Sequence, residues 1–221
     1  MNRRSPAPRR AAVAAPAGTR RRKVRRAFII HGYLSYPEEA WLPWLRNELR
    51  KRGYEVALPA MPRPARPSLP GWIKFITQLV GEPDDETVLI GHSLGCQAVI
   101  RYLETLGAAG RSVKKTVLVA GSFPPNLSLA EAKERVGEHR ALLAWFTVPV
   151  DPRLVKKAAG KCTMILSDND PYIPLRAARA TFRARLNPRI IVEKGKGHFN
   201  EDDRITELPS ALRAVLSRDG G

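Results

Sequence analysis

The sequence predicts an α/β protein built on a parallel sheet of about six strands with helices on both faces. Two observations point there first. Short apolar runs alternate with segments whose apolar residues recur at helical spacing, the pattern of a parallel sheet with right-handed crossovers. The runs are also continuous rather than alternating in polarity, as expected when helices cover both faces. A third is size: 221 residues, 43% hydrophobic, suit one domain that buries roughly 70% of its unfolded surface.

The elements follow in order. "RAFIIHG" (26–32) is a buried strand ending in glycine. "WLPWLRNELRKRG" (41–53) is a helix, with Leu42, Leu45 and Leu49 on one face, Pro43 in the first turn and Gly53 at the end. "YEVALP" (54–59) is a second strand. "AMPRPARPSLP" (60–70) carries four prolines and can be neither helix nor central strand. "GWIKFITQLV" is a helix, "TVLIG" (87–91) a third strand, and "CQAVIRYLETLG" (96–107) a helix with Val99, Leu103 and Leu106 on one face. "KTVLVAG" (115–121), "KCTMILS" (161–167) and "PRIIVEK" (188–194) complete the strands, with helices at 174–186 and 206–218. Residues 122–160 break the alternation. They are too long for a plain connection, and are expected to form a small helical cap.

Charge divides the chain. Of a net +17, residues 1–26 carry +10, from ten Arg or Lys and no acid. This Ala- and Pro-rich tail has almost no large apolar residue and is expected to be disordered. A transit peptide is an alternative use for it. Nucleic-acid contact through the tail would be sequence-independent electrostatics. The remainder, 27–221, reads as the folded domain. Two cysteines, Cys96 and Cys162, in apolar surroundings point to a reduced, cytoplasmic protein rather than a disulfide framework. No apolar run reaches the ~20 residues of a membrane helix.

The chemistry gathers around "TVLIGHSLGCQAVI" (87–100). Ser93 could simply cap the following helix. However, G-x-S-x-G between a strand and a helix is the context of a nucleophile elbow: a sharp turn presents the serine at the top of the sheet, beside the positive end of the helix. Ser93 therefore needs a base. Among His31, His92, His139 and His198, the last lies in "KGKGHFN", after the final strand. In an open parallel sheet that is where sites gather. His92 points away from a serine that points up, and His139 reads as a surface residue. The orienting acid should follow the fifth strand, where "SDNDPYIP" offers Asp168 and Asp170. Pro171 holds Asp170 extended and out of any helix, which favours it, whereas Asp168 can serve the turn. Serine, acid and histidine then occur in the order of the α/β-hydrolases. The oxyanion donors would be the N–H groups of Leu94 and Tyr33.

At these residues the sequence resembles the small α/β-hydrolases of the retinoblastoma-binding-protein serine hydrolase type, also called YdeN-like. The similarity runs from residue 27 to about 216 and includes "FIIHGY", "WLPWLRNELRKRGYEVALPAMP", "GHSLG", "SDNDPYIP" and "GHFN". The resemblance implies an α/β-hydrolase fold with six parallel strands, and it aligns Ser93, Asp170 and His198 with the triad. Phe123, Trp145 and Phe199, on the cap or beside strand ends, are candidate walls of a small apolar pocket. The expected function is hydrolysis of small carboxylic esters or related acyl compounds, with no metal or organic cofactor required. The alternative is a non-catalytic protein that keeps the fold to bind a partner or nucleic acid.

Overall fold

The computed structural model describes residues 23–125 and 127–217. The expected disorder of the basic tail falls mainly on residues 1–22, outside the described residues. From Lys23 onward the chain is placed: Lys23 pairs with Asp85 at 2.5 Å, and Arg26 opens the first strand.

Six parallel strands form one sheet: β1 (Arg26–Ile30), β2 (Glu55–Ala57), β3 (Thr87–His92), β4 (Lys115–Val119), β5 (Lys161–Ser167) and β6 (Arg189–Glu193), in the order β2-β1-β3-β4-β5-β6. The helices are α1 (Leu42–Lys51), α2 (Leu69–Val80), α3 (Leu94–Ala108), α4 (Leu129–Val136), α5 (Leu143–Thr147), α6 (Pro152–Ala158), α7 (Leu175–Arg185) and α8 (Pro209–Leu216). Alternate strand residues feed two cores. Ala27, Ile29, Val88 and Ile90 pack under α1 and α8 with Leu42, Leu45, Leu49 and Val215. Phe28, Ile30, Leu89 and Leu118 pack under α2, α3, α6 and α7 with Trp72, Ile76, Val99 and Phe182. Both faces of the central strands are therefore apolar, as their continuous runs require.

Element ends shift by a few residues for local reasons. Helix α2 starts at Leu69, before the expected Gly71, because the Ser68 hydroxyl accepts the Gly71 N–H (3.3 Å) as an N-cap. The first residues of 206–218 stay outside α8, which begins at Pro209. The proline-rich loop is fixed by side chains: Trp72 Nε1 donates to the Pro62 carbonyl (2.7 Å), Trp145 Nε1 to that of Pro67 (3.1 Å), and the Met61 amide to His31 Nε2 (2.9 Å).

The long segment after β4 holds three helices and a 3-10 turn at Arg140–Leu142. Only α6 behaves as a crossover helix. It lies on α3 so closely that a side chain at Gly107 would collide with the Leu154 backbone carbonyl. The buried Arg101 of α3 donates through Nη2 to the carbonyls of Trp145 (3.0 Å) and Val148 (2.8 Å) at the end of α5, satisfying acceptors that a helix terminus leaves open. Burial draws the pKa of this guanidinium down to about 10. Among the described residues, no helix is long and apolar enough to cross a membrane.

Candidate active site

The strand order reverses between β1 and β3, and ligands of open α/β sheets bind at such a crevice. The register pairs Ile30 with Gly91, so the chain leaves both strands at the same level. Ser93 occupies the turn from β3 to α3 with φ 53°, ψ −122°, a strained region for a residue with a side chain. Its N–H donates to the Val119 carbonyl (2.9 Å), which ties the elbow to β4. The turn is possible because Gly95 has no side chain: a Cβ there would collide with the carbonyl oxygen of Ile30. Across the crevice Gly32 approaches so closely that its Cβ would stand 2.9 Å from Ser93 Cβ.

Three of the expected site residues meet. His198 Nε2 lies 2.8 Å from Ser93 Oγ, and His198 Nδ1 lies 2.9 Å from Asp170 Oδ2. The Asp170 side chain is 1% exposed and that of His198 11%. Asp170 Oδ1 also accepts the N–H groups of Tyr172 (2.8 Å) and Ile173 (3.0 Å), so the carboxylate is fixed by its own turn before it reaches the ring. With Nδ1–H donating to Asp170, Nε2 is free to accept from the serine hydroxyl.

The loop that carries His198 is clamped at successive residues. Asp168 Oδ1 accepts Gly195 N–H (2.8 Å), Ser167 Oγ accepts Lys196 N–H (3.0 Å), Asn169 Oδ1 accepts Gly197 N–H (2.8 Å) and Asp203 Oδ2 accepts His198 N–H (2.6 Å). From the other side His92 Nε2 donates to the His198 carbonyl (2.9 Å), and Trp41 Nε1 to that of Phe199 (3.1 Å). Asp168 thus serves a turn, but the neighbouring loop's turn rather than its own. His92 does point away from the serine, and it grips the loop from behind. Complete burial, then the nearby His198 ring, hold His92 down to about 4, so the ring is neutral. Asp203 and Tyr172, whose ring packs edge-on against His198 with centroids 5.0 Å apart, were not singled out in the sequence. Tyr172 meets the His198 ring across 26 residues, a contact with no local signal, whereas Asp203 lies five residues beyond His198, in the Asn200–Asp203 turn visible in "FNEDD".

Leu94 is the first residue of α3, so its N–H precedes the intrahelical bonds. Tyr33 follows Gly32 at the point of closest approach to Ser93, and its hydroxyl meets His139 Nδ1 of the overlying segment at 2.9 Å. His139 is exposed, as expected, yet it links the loop to that segment.

Above Ser93 and His198 opens a cavity of about 1050 Å³, lined also by Tyr33, Gln97, Leu142 and Phe146. Glu39, Glu134, Arg135 and Asp202 reach it as well, so it is larger and more polar than the small apolar pocket expected. A second cavity of about 420 Å³ adjoins it, sharing Ser122, Leu127, Phe146 and Ile173. Phe123 lines this second cavity. Trp145 and Phe199 line neither: both are fully buried. The Trp145 indole packs on Trp72, and Phe199 joins the α1–α8 core. Core packing claims these two rings.

Comparison with known proteins agrees with this architecture. The chain is 27% identical over 196 residues to the putative hydrolase YdeN of Bacillus subtilis, covering 87% of this chain and 95% of YdeN. It is 28% identical over 181 residues to the serine hydrolase RBBP9 of Rattus norvegicus, covering 80% and 85%. The crystal structure of the B. subtilis ydeN gene product superposes with a TM-score of 0.74 at 24% identity, covering 88% of this chain and all of that one. Est1E of Butyrivibrio proteoclasticus, bound to ferulic acid, gives 0.66 at 16% identity, with 87% of each chain covered. These likenesses fix the α/β-hydrolase fold. A family model described as serine hydrolase matches residues 27–217, and by that match the chain belongs to the serine hydrolase family.

Proposed function

We propose that the chain hydrolyses small carboxylic esters, or related acyl compounds, through an acyl-enzyme formed on Ser93, with Asp170 and His198 completing a catalytic triad. The observation that carries this reading is the unbroken hydrogen-bonded chain from the Asp170 carboxylate through the His198 ring to the Ser93 hydroxyl. As Ser93 Oγ attacks the acyl carbonyl, His198 Nε2 takes its proton. Asp170 holds the ring's tautomer and offsets the charge it gains. The N–H groups of Tyr33 and Leu94 receive the oxyanion. His198 returns the proton to the departing alcohol, then activates the water that releases the acid. In this reading residues 27–221 act as one hydrolase unit, and the insertion 122–160 supplies its cap through the part that precedes α6, latched to the oxyanion loop by Tyr33 and His139.

The test is a fluorophosphonate probe followed by mass spectrometry. The adduct is expected on Ser93. The substitution Ser93→Ala should leave the fold intact and lower esterase turnover by several orders of magnitude, since residual catalysis then rests on the oxyanion donors and binding alone. An adduct elsewhere, or an active enzyme that takes none, overturns the assignment.

A further inference from the structure

Gln97 stands one helical turn beyond Ser93 on α3 and is 2% exposed. Long side chains on a helix lean toward its N-terminus, which sets Gln97 against the turn that carries the serine. Its Nε2 donates to Ser122 Oγ at 3.0 Å. Its Oε1 is buried and, among the described residues, accepts no hydrogen bond. Side-chain acceptors buried this deeply nearly always have a donor. Gln97 lines the main cavity, and Ser122 lines both cavities, so the pair marks the passage between them. Beyond it the second cavity is walled by Phe123, Pro125, Val150 and Ala178.

We infer that Gln97 is a specificity residue that accepts a hydrogen bond from the acyl group of the substrate, and that the preferred substrates are hydroxyacyl esters with an apolar remainder. The inference rests on the esterase reading above. Ser93 is the N-cap of α3 and Gln97 lies in the first turn of that helix, leaning back toward the cap, and both line the same cavity. An acyl carbonyl on Ser93 therefore brings its second or third carbon beside Gln97. A hydroxyl there donates to Oε1, and the rest of the chain passes Ser122 into the apolar cavity.

Ethyl butyrate, both enantiomers of ethyl 3-hydroxybutyrate, and ethyl 3-methoxybutyrate would be compared by proton release in a pH-stat. The wild-type chain should favour one hydroxy ester over butyrate by about tenfold in kcat/KM, the scale of one buried hydrogen bond made rather than left open. The methoxy ester keeps the oxygen but lacks the donor, and should show no such advantage. Gln97→Met, similar in shape but only a weak acceptor, should bring the hydroxy-to-plain ratio to near one. Because the wild-type ratio is itself decisive, the test survives a Gln97→Met chain that fails to fold. A flat wild-type ratio, a methoxy ester that does as well, or a preference that persists in Gln97→Met overturns the inference. If fluorophosphonate labels Ser93 while the ratio is flat, this inference alone fails. If Ser93 is neither labelled nor active, the esterase reading fails with it.

Discussion

Asp168 and Asp170 leave the same strand two residues apart and serve different partners. Asp170 gives one oxygen to its own turn and both to the His198 ring, whereas Asp168 holds the Gly195 amide. Under the triad reading, Asp170→Asn loses the charge and favours the wrong ring tautomer. That exchange costs on the order of 10⁴ in serine proteases, and a loss of at least ~100-fold in kcat is expected here, because triad acids differ widely in what their removal costs. Asp168→Asn keeps an acceptor and should cost under ~10-fold, the scale of one ordinary hydrogen bond. The reverse order in steady-state kinetics would make Asp168 the triad acid. That Asp170 rather than Asp168 faces the His198 ring was legible because Pro171 fixes the backbone before it. The clamp at His92 was not legible, since it acts across 106 residues on a loop that only the fold brings near, whereas Asp203, five residues past His198, lies in the same loop and reads as an ordinary turn residue. Trp145 and Phe199 show the converse limit: closeness to a strand end does not say which way a ring faces.

Helix ends were legible where a proline marks them, as at Pro43, whereas Ser68 reads as loop, which places the start of α2 two residues late. The pairing of α3 with α6 was not legible. A glycine late in a helix, such as Gly107, reads as a weak point, because glycine costs about 1 kcal/mol relative to alanine there. Its reason lies in another element: the Leu154 carbonyl of α6 occupies the space a side chain would need, and backbone cannot swing aside as a side chain can. Gly107→Ala should therefore destabilise the chain by about 1–3 kcal/mol, the usual cost of overpacking, despite the gain in helix propensity. Urea unfolding measures this. A midpoint that rises would mean that α6 yields easily. Gly107 stands 14 residues from Ser93, roughly 20 Å along the helix, so the folded fraction should keep its turnover.

At the scale of the whole molecule, the two-faced sheet that creates the crevice also buries charge-capable groups at its floor. His31 and His92 leave the carboxyl ends of β1 and β3 and are 0% and 3% exposed. His31 Nε2 accepts the Met61 amide and His92 Nε2 donates to the His198 carbonyl, so both rings tie loops to the sheet as neutral groups. Burial lowers the pKa of each, that of His92 to about 4. Between the ordinary imidazole value of about 6.5 and that lower value, the unfolded chain binds protons that the folded chain refuses. The contribution of His92 to stability is thus complete above about pH 6.5 and is lost as pH falls toward 4, with roughly 3 kcal/mol at stake, and the lowered pKa of His31 acts in the same direction. Under the triad reading turnover has an acid limb of its own, because a base must be unprotonated to take the Ser93 proton. The substitution His92→Gln separates the two effects. An amide N–H can still reach the His198 carbonyl, but it cannot titrate. Urea unfolding free energies measured from pH 7 to 4.5 should therefore fall less steeply in His92→Gln than in the parent chain, while the acid limb of turnover persists. Equal slopes in the two proteins would mean that the His92 ring takes up its proton without opposing the fold.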